Sequence, residues 1–566
     1  MDRSFSRRSF LGLAAATGAT VSAVGLIGCS PSSSGEDIPS GAAAIASVGI
    51  PNTWDHEADF VVIGAGTALT GALKAVADNM SCIVIEALES PGGTTALSGG
   101  SVWIPCNDYA EDDPTAAKIY MVKIADGLST EAIIDTYIAN ASPMINFITE
   151  QTGVQWEIAD RTDYHEQWEG ATRAVRTVKP IDPETGKTTS GAGYTQPQAD
   201  KFEELGGQLL FNTTAERLIA RQNDDGKQEV LGVVATDASG KTIYIKATKA
   251  VLLGAGGFDY NDDMKAHYLD IPSPCSFAVA SSEGAGIRMA QGVGADLAMM
   301  CYGWGNAAYK VIGEEAYANR SVDPNIAPLC YQSDTSSMWI NRYGRRFCDE
   351  AASYDSFWYG FGNGRETTGE MRYTNIPAWY VCDQGNRNRN AGGDGVATPD
   401  KGGNLWGVEA VADPPEWVLR ADTLEELAQK MGFDELSTEN FIAQVERFNR
   451  FAAEGKDPEF QRGESTFDQG GPGRPKDCLE PMNIPPYYAA EIVPFLQGTK
   501  GGPRTNELGQ VEHIQGGIVP RLYACGNNAG CGTPGKYYTG AGGTVAPGMV
   551  FSYLAAIDAA KLESWA

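Results

Sequence analysis

Asp59-Phe60-Val61-Val62-Ile63-Gly64-Ala65-Gly66 is a short apolar run of strand length that breaks into glycines, and an Ala/Leu/Thr segment with helical character follows it. Strand, tight turn and helix in that order let the backbone approach a pyrophosphate, whose charge the free N–H groups at the helix start receive. Position 69 is Leu where that pattern wants a third glycine, and Gly71 stands two residues later. Ile83-Val84-Ile85 is a second buried-strand candidate. It ends in Glu86, 20 residues past Gly66, where an acidic side chain accepts hydrogen bonds from a ribose. Next comes Gly92-Gly93-Thr94-Thr95-Ala96-Leu97-Ser98-Gly99-Gly100, two Gly-Gly pairs framing small hydroxyl residues, a loop that lets backbone pass close to a ligand. Far downstream, Ala247-Thr248-Lys249-Ala250-Val251-Leu252-Leu253-Gly254-Ala255-Gly256-Gly257 is another strand running into glycines. Leu522-Tyr523-Ala524-Cys525-Gly526-Asn527 is a third.

The chain has 566 residues, 42% of them apolar, which is more than one hydrophobic core usually supports and predicts two lobes with a cleft. A formal charge of -29 excludes nucleic acid and anionic lipid as charge-matched partners, although most of these carboxylates serve solubility. Four histidines and no C-x-x-C spacing leave little for metal, c-type haem or iron–sulfur chemistry, so no metal site is expected. At the N-terminus, Ser6 to Gly12 reads SRRSFLG, a twin-arginine export signal around Arg7 and Arg8. The weakly apolar run behind it ends in Leu26-Ile27-Gly28-Cys29, which resembles a lipobox that would lipidate Cys29; an uncleaved anchor is the alternative. Either places the body outside the cytoplasm, behind a serine-rich tether at Pro31 to Ser40. Folding before export makes free thiols the expectation for the ten remaining cysteines.

Taken together, DFVVIGAG, Glu86, GGTTALSGG, KAVLLGAGGF and LYACGN resemble the FAD-binding domain of the fumarate reductase and 3-oxosteroid dehydrogenase superfamily, over nearly the whole mature chain. The resemblance implies an α/β fold: a discontinuous Rossmann-like FAD-binding domain at 55–304 and 486–566, with an inserted α+β catalytic or capping domain at 305–485. Residues 1–29 would be the signal with its lipobox and 30–54 the tether. It also implies FAD contacts at Gly64, Ala65, Gly66, Glu86, Gly93, Thr94, Thr95, Ser98, Gly99, Gly100, Gly256, Gly257, Gly526, Asn527, Thr544 and Val545. No histidine lies in or beside these motifs, so the FAD is expected to be non-covalent. Within 422–453, Leu424, Leu427, Met431, Phe441, Val445 and Phe448 stand at helical spacing and are expected to be core.

Three positions choose a branch. Dicarboxylate reductases of this family grip two carboxylates with arginines and histidines. Where they carry those cations, this chain has Ser353-Tyr354-Asp355, Phe495-Leu496-Gln497-Gly498-Thr499-Lys500-Gly501-Gly502 and Gly540-Ala541-Gly542-Gly543. GRRFCDEAASYD, GTKGG and GKYYTGAGGTVAPGM instead resemble the 3-oxosteroid 1-dehydrogenases, as do WIPCN at Trp103 to Asn107 and Asp163-Tyr164-His165-Glu166. Leu69, a family proline missing at His165 or Glu166, and Thr539 in place of proline are departures.

Hydrogen transfer across a carbon–carbon bond beside a ketone needs a hydride partner, an acid or base for the adjacent carbon, and donors for the oxygen charge. FAD supplies the first, and a tyrosine can supply the second if its pKa falls below the free value near 10. By resemblance, Tyr354 handles the proton, Tyr164 assists it, and Tyr538 with the Gly542 N–H holds the carbonyl. Three readings remain open: a 3-oxosteroid dehydrogenase or reductase, a reductase of another enone or enoate, and a lipid-tethered FAD binder without catalysis. Export would leave a membrane quinone system or a cytochrome as the electron partner.

Overall fold

The computed structural model describes residues 48–320, 336–367, 369–386, 414–468, 478–530 and 535–565. Arg7, Arg8, Cys29 and the tether as far as residue 47 lie outside them, as does most of the loop-rich stretch 386–415.

His56–Ile63 is the central strand of an eight-stranded sheet, running parallel to Cys82–Ile85 on one side and to Thr242–Leu253 on the other. Ile518–Ala524 joins the far edge of Thr242–Leu253 in parallel, and Gln208–Leu210 extends the opposite flank. A strand with neighbours on both sides and layers on both faces must be apolar where it is buried, as Phe60 to Ile63 are, while His56, Glu57 and Asp59 stand at its less buried start. Phe60, Val62, Val84 and Leu252 face one core, while Val61, Ile63, Ile83, Ile85 and Val251 face the other. Helices Leu69–Ala77 and Val545–Ala560 cover the first of these faces.

Tyr487–Thr499 organises a second, mainly antiparallel sheet, pairing with Gly303–Tyr309, Ala378–Asp383 and Leu419–Ala421, while Ser337–Asn341 pairs with Ala378–Asp383. This strand lies beyond residue 485, where the sequence reading ended the inserted domain, and its last residues lead directly into Lys500. The aromatic side chains Trp339, Phe357, Trp358, Phe361 and Tyr380 fill one side of this sheet. The other side receives the helices Leu424–Lys430 and Glu435–Glu454 through Leu427, Met431, Phe441, Val445 and Phe448, as their helical spacing predicts.

Leu69 is fully buried in the core, and the close approach expected of the missing third glycine is made by its neighbours. A Cβ on Gly71 would lie 2.4 Å from the Ser552 carbonyl oxygen of the C-terminal helix. Gly71→Ala is therefore expected to cost about 1–3 kcal/mol by overpacking. Urea unfolding against Gly49→Ala, a position with nothing within 4 Å of the added atom, checks it; equal stability of the two variants would refute this packing role.

Candidate functional site

The parallel strands end at one edge, and there the chain turns on glycines. Gly64 sits at φ +97°, and a Cβ on it would lie 2.4 Å from the Gly254 carbonyl oxygen. These two strand ends open a cavity of about 630 Å³, within the size range of cofactor and ligand pockets. Of the expected cofactor residues, Gly64, Gly66, Glu86, Gly93, Thr94, Thr95, Ser98, Gly99, Gly256, Gly257, Gly526, Asn527, Thr544 and Val545 line it. Ala65 and Gly100 do not: the Ala65 N–H donates to Glu86 Oε2 at 2.7 Å, and Gly100 packs against the Thr189 carbonyl.

Glu86 also accepts from the Leu88 N–H at 2.9 Å, and burial pushes its carboxyl above the usual carboxylate range. The carboxyl is thus fixed at the end of its strand with lone pairs left for a ligand. Residues 93–97, expected as a loop, form a short helix, which places the Thr94 hydroxyl to accept from the Val279 N–H at 3.0 Å. The segment Phe277 to Glu283 and Thr213 to Ala215 also line the cavity. Neither carries a glycine signal in the sequence; they arrive through tertiary packing. Val545 opens a 16-residue helix whose positive end faces the same space. A glycine cradle, a terminal carboxyl and a helix N-terminus together fit a dinucleotide.

Tyr354, Tyr538, Ala541, Gly542 and Gln497 line the same cavity, next to Thr544 at the start of that helix. Tyr164 does not line it but packs behind, donating its hydroxyl to the Tyr354 hydroxyl at 2.9 Å. The ring centroids of Tyr164, Tyr354 and Tyr538 form a near-equilateral triangle of 5.2, 5.2 and 5.5 Å. Tyr538 also shares a hydrogen bond of 3.2 Å with the Thr544 hydroxyl. Burial first, and the neighbouring tyrosines second, push the Tyr354 phenol well up, and burial does the same to Tyr164 and Tyr538. A tyrosine acting as proton acceptor would need the opposite shift; burial here favours the protonated phenols, which are proton donors. Gly542, at φ +90°, lies so close to the Ser101 carbonyl that no side chain fits.

Among the described lining residues Arg320 is the one cation, and it is committed to Glu283 and the Ala280 carbonyl rather than to the tyrosines. No group of three His, Cys, Asp or Glu side chains among the described residues could hold a metal.

His165 follows Tyr164, is stacked on Trp168 at 4.2 Å, and has a buried Nε2 with no partner among the described residues. Burial, then the Lys500 charge, lower its pKa from 6.5 to about 4. Between those values the unfolded chain binds the proton and the folded one does not, so stability falls as pH drops, by roughly 3 kcal/mol from this group. His165→Phe keeps the stacking ring and is expected to lose that part of the acid sensitivity. Urea unfolding at neutral pH and at the acid end of this window measures it; an unchanged slope of stability against pH would contradict the assignment.

The FAD binding domain family matches residues 59–545. The chain is 30% identical to the 3-oxosteroid 1-dehydrogenase of Mycolicibacterium smegmatis, over 89% of this chain and 97% of that one. It is 24% identical to the digoxin reductase of Eggerthella lenta, over 100% of this chain and 98% of that one. A solved 3-ketosteroid delta1-dehydrogenase from Sterolibacterium denitrificans, in complex with 1,4-androstadiene-3,17-dione, superposes with a TM-score of 0.77 at 26% identity. That match covers 89% of this chain and 99% of that one.

Proposed function

The chain belongs to the FAD binding domain family, on the branch that includes the 3-oxosteroid 1-dehydrogenases, and is an FAD-dependent oxidoreductase; on that premise we propose that it transfers hydrogen across the carbon–carbon bond beside the ketone of a 3-oxosteroid. The observation that carries this reading is the convergence of Tyr354, Tyr538 and Gly542 in the glycine-cradled cavity, whose one cation among the described lining residues, Arg320, is held by Glu283. A dicarboxylate needs bidentate cationic donors, whereas a neutral carbonyl needs hydrogen-bond donors that strengthen as its oxygen gains charge.

FAD, when bound, supplies the hydride partner. The Tyr538 hydroxyl and the Gly542 N–H donate to the ketone oxygen, and their grip tightens as enolate charge develops there. Tyr354 manages the proton at the carbon between the ketone and the carbon that exchanges hydride. In the reductive direction its phenol delivers that proton, and the Tyr164 hydroxyl, donating at 2.9 Å, stabilises the phenolate left behind. Dehydrogenation uses the same atoms in reverse. The relatives include both dehydrogenases and a reductase, and a reductase of another enone is the second reading, supported by the digoxin reductase match along the whole chain.

Tyr354→Phe keeps the ring and removes the titratable atom, so turnover is expected to fall roughly 10²- to 10⁴-fold with FAD content intact. Solvent exchange of the hydrogen beside the ketone is expected to vanish with it. Tyr538→Phe removes one oxyanion donor and is expected to cost about 2.7–4 kcal/mol of transition-state stabilisation. Anaerobic assays on a panel of steroids and simpler enones, with a dye as donor and then as acceptor, measure both. Turnover by Tyr354→Phe at the parent rate would overturn its role.

A twin-arginine signal with a lipobox at Cys29 fits a protein exported with its flavin already loaded, held non-covalently, and exchanging electrons with a membrane quinone system or a cytochrome. Replacing Arg7 and Arg8 by Lys is expected to leave flavin-loaded precursor in the cytoplasm; cell fractionation checks it, and undiminished delivery to the cell surface would sink the export proposal.

A further inference from the structure

Two buried charges hold the backbone on either side of Tyr537. The Tyr538 N–H donates to Asp355 Oδ2 at 2.9 Å. Two residues earlier, the Lys536 carbonyl accepts from Lys500 Nζ and, at 2.6 Å, from the Tyr359 hydroxyl. Asp355 and Lys500 are both 0% exposed. The Lys500 ammonium lies 3.6 Å from the centroid of the Trp304 ring, and that ring meets Tyr538 edge-on at 4.7 Å. An anion therefore grips the N–H of residue 538 while a cation grips the C=O of residue 536.

Burying charged groups is unfavourable by several kcal/mol each, and well-packed apolar side chains often serve stability equally well, so stability alone does not account for this pair. Its placement does. Asp355 sits in the first turn of helix Tyr354–Gly362, directly after Tyr354, and Lys500 follows the end of strand Tyr487–Thr499. The helix that presents the proton-handling tyrosine thus also holds the backbone of the carbonyl-binding tyrosine. A donor misplaced by one ångström loses much of its effect on a transition state. We infer that Asp355 and Lys500 are positioning residues, a charged clamp on residues 536–538 that fixes the Tyr538 hydroxyl over the carbonyl site.

The proposal rests on the reading of Tyr538 as the carbonyl donor, and its test separates the two. In the full-length, FAD-loaded protein, Lys500→Met or Asp355→Asn is expected to raise amide hydrogen exchange across 535–545 by about tenfold or more, with the parallel strands unchanged. Lys500→Arg, which keeps the cation, is expected to stay near the parent. The double variant Asp355→Asn/Lys500→Met leaves no unpaired buried charge and is expected to show the same local rise if a single variant fails to fold. Unchanged exchange in 535–545, or a rise spread evenly over the chain, overturns the clamp whether or not any enone is turned over.

Turnover of cyclohexenone or a steroid enone adds a second arm. Each single change is expected to cost roughly 10- to 100-fold in the parent background, and less than about threefold in a Tyr538→Phe background. Equal losses in both backgrounds also overturn the clamp. A parent enzyme that turns over no enone defeats the functional reading while the exchange data still decide the clamp.

Discussion

The contact between the Gly64 and Gly254 strand ends is the constraint from which the rest of the molecule follows. With only 2.4 Å between the Gly254 carbonyl and the place a Gly64 side chain would occupy, the two parallel strands can end together only as bare backbone. That convergence aligns the open edge of the sheet, sets the direction of the chain into helix Leu69–Ala77, and leaves the space along which Gly66, Gly256 and Thr94 are arrayed. Glu86 closes one end of that space. The C-terminal helix, packed on Gly71, brings Thr544 and Val545 to the other, where the tyrosines stand.

The tyrosine triangle lies where both sheets contribute. Tyr354 comes from a helix packed against the second sheet, Tyr538 from the segment leading into the C-terminal helix, and Tyr164 from a loop wedged behind them. Only tertiary packing brings together residues separated by 190 positions, such as Tyr164 and Tyr354. Burial raises the proton affinity of all three.

Much of this was legible in the sequence wherever local chemistry and global packing agree. Strand-then-glycine signals at 59–66 and 247–257 announce themselves because buried parallel strands must be apolar throughout and their turns must be bare. The helical spacing of Leu427, Met431, Phe441, Val445 and Phe448 identified core for a similar reason. What stayed hidden depends on distant partners. The Phe277 to Glu283 wall has no periodic or glycine signature, and the upward shift of the tyrosines depends on burial that no local pattern reports. Lys500 stood inside the GTKGG motif, but its contact with the Lys536 carbonyl appears only in three dimensions. The boundary drawn at residue 485 missed strand Tyr487–Thr499 because an apolar strand joins a parallel or an antiparallel sheet with equal ease.

Tyr164 touches Tyr354 but not the cavity, and that arrangement divides the site into parts free to vary on different terms. The tyrosines sit in an aromatic cluster with Trp304 and Phe467, while the Phe277 to Glu283 and Thr213 to Ala215 walls of the cavity come from separate stretches of chain. Those walls can therefore be reshaped without disturbing the packing of the tyrosines on one another. Such a layout lets one scaffold carry more than one pocket shape on the same set of tyrosines.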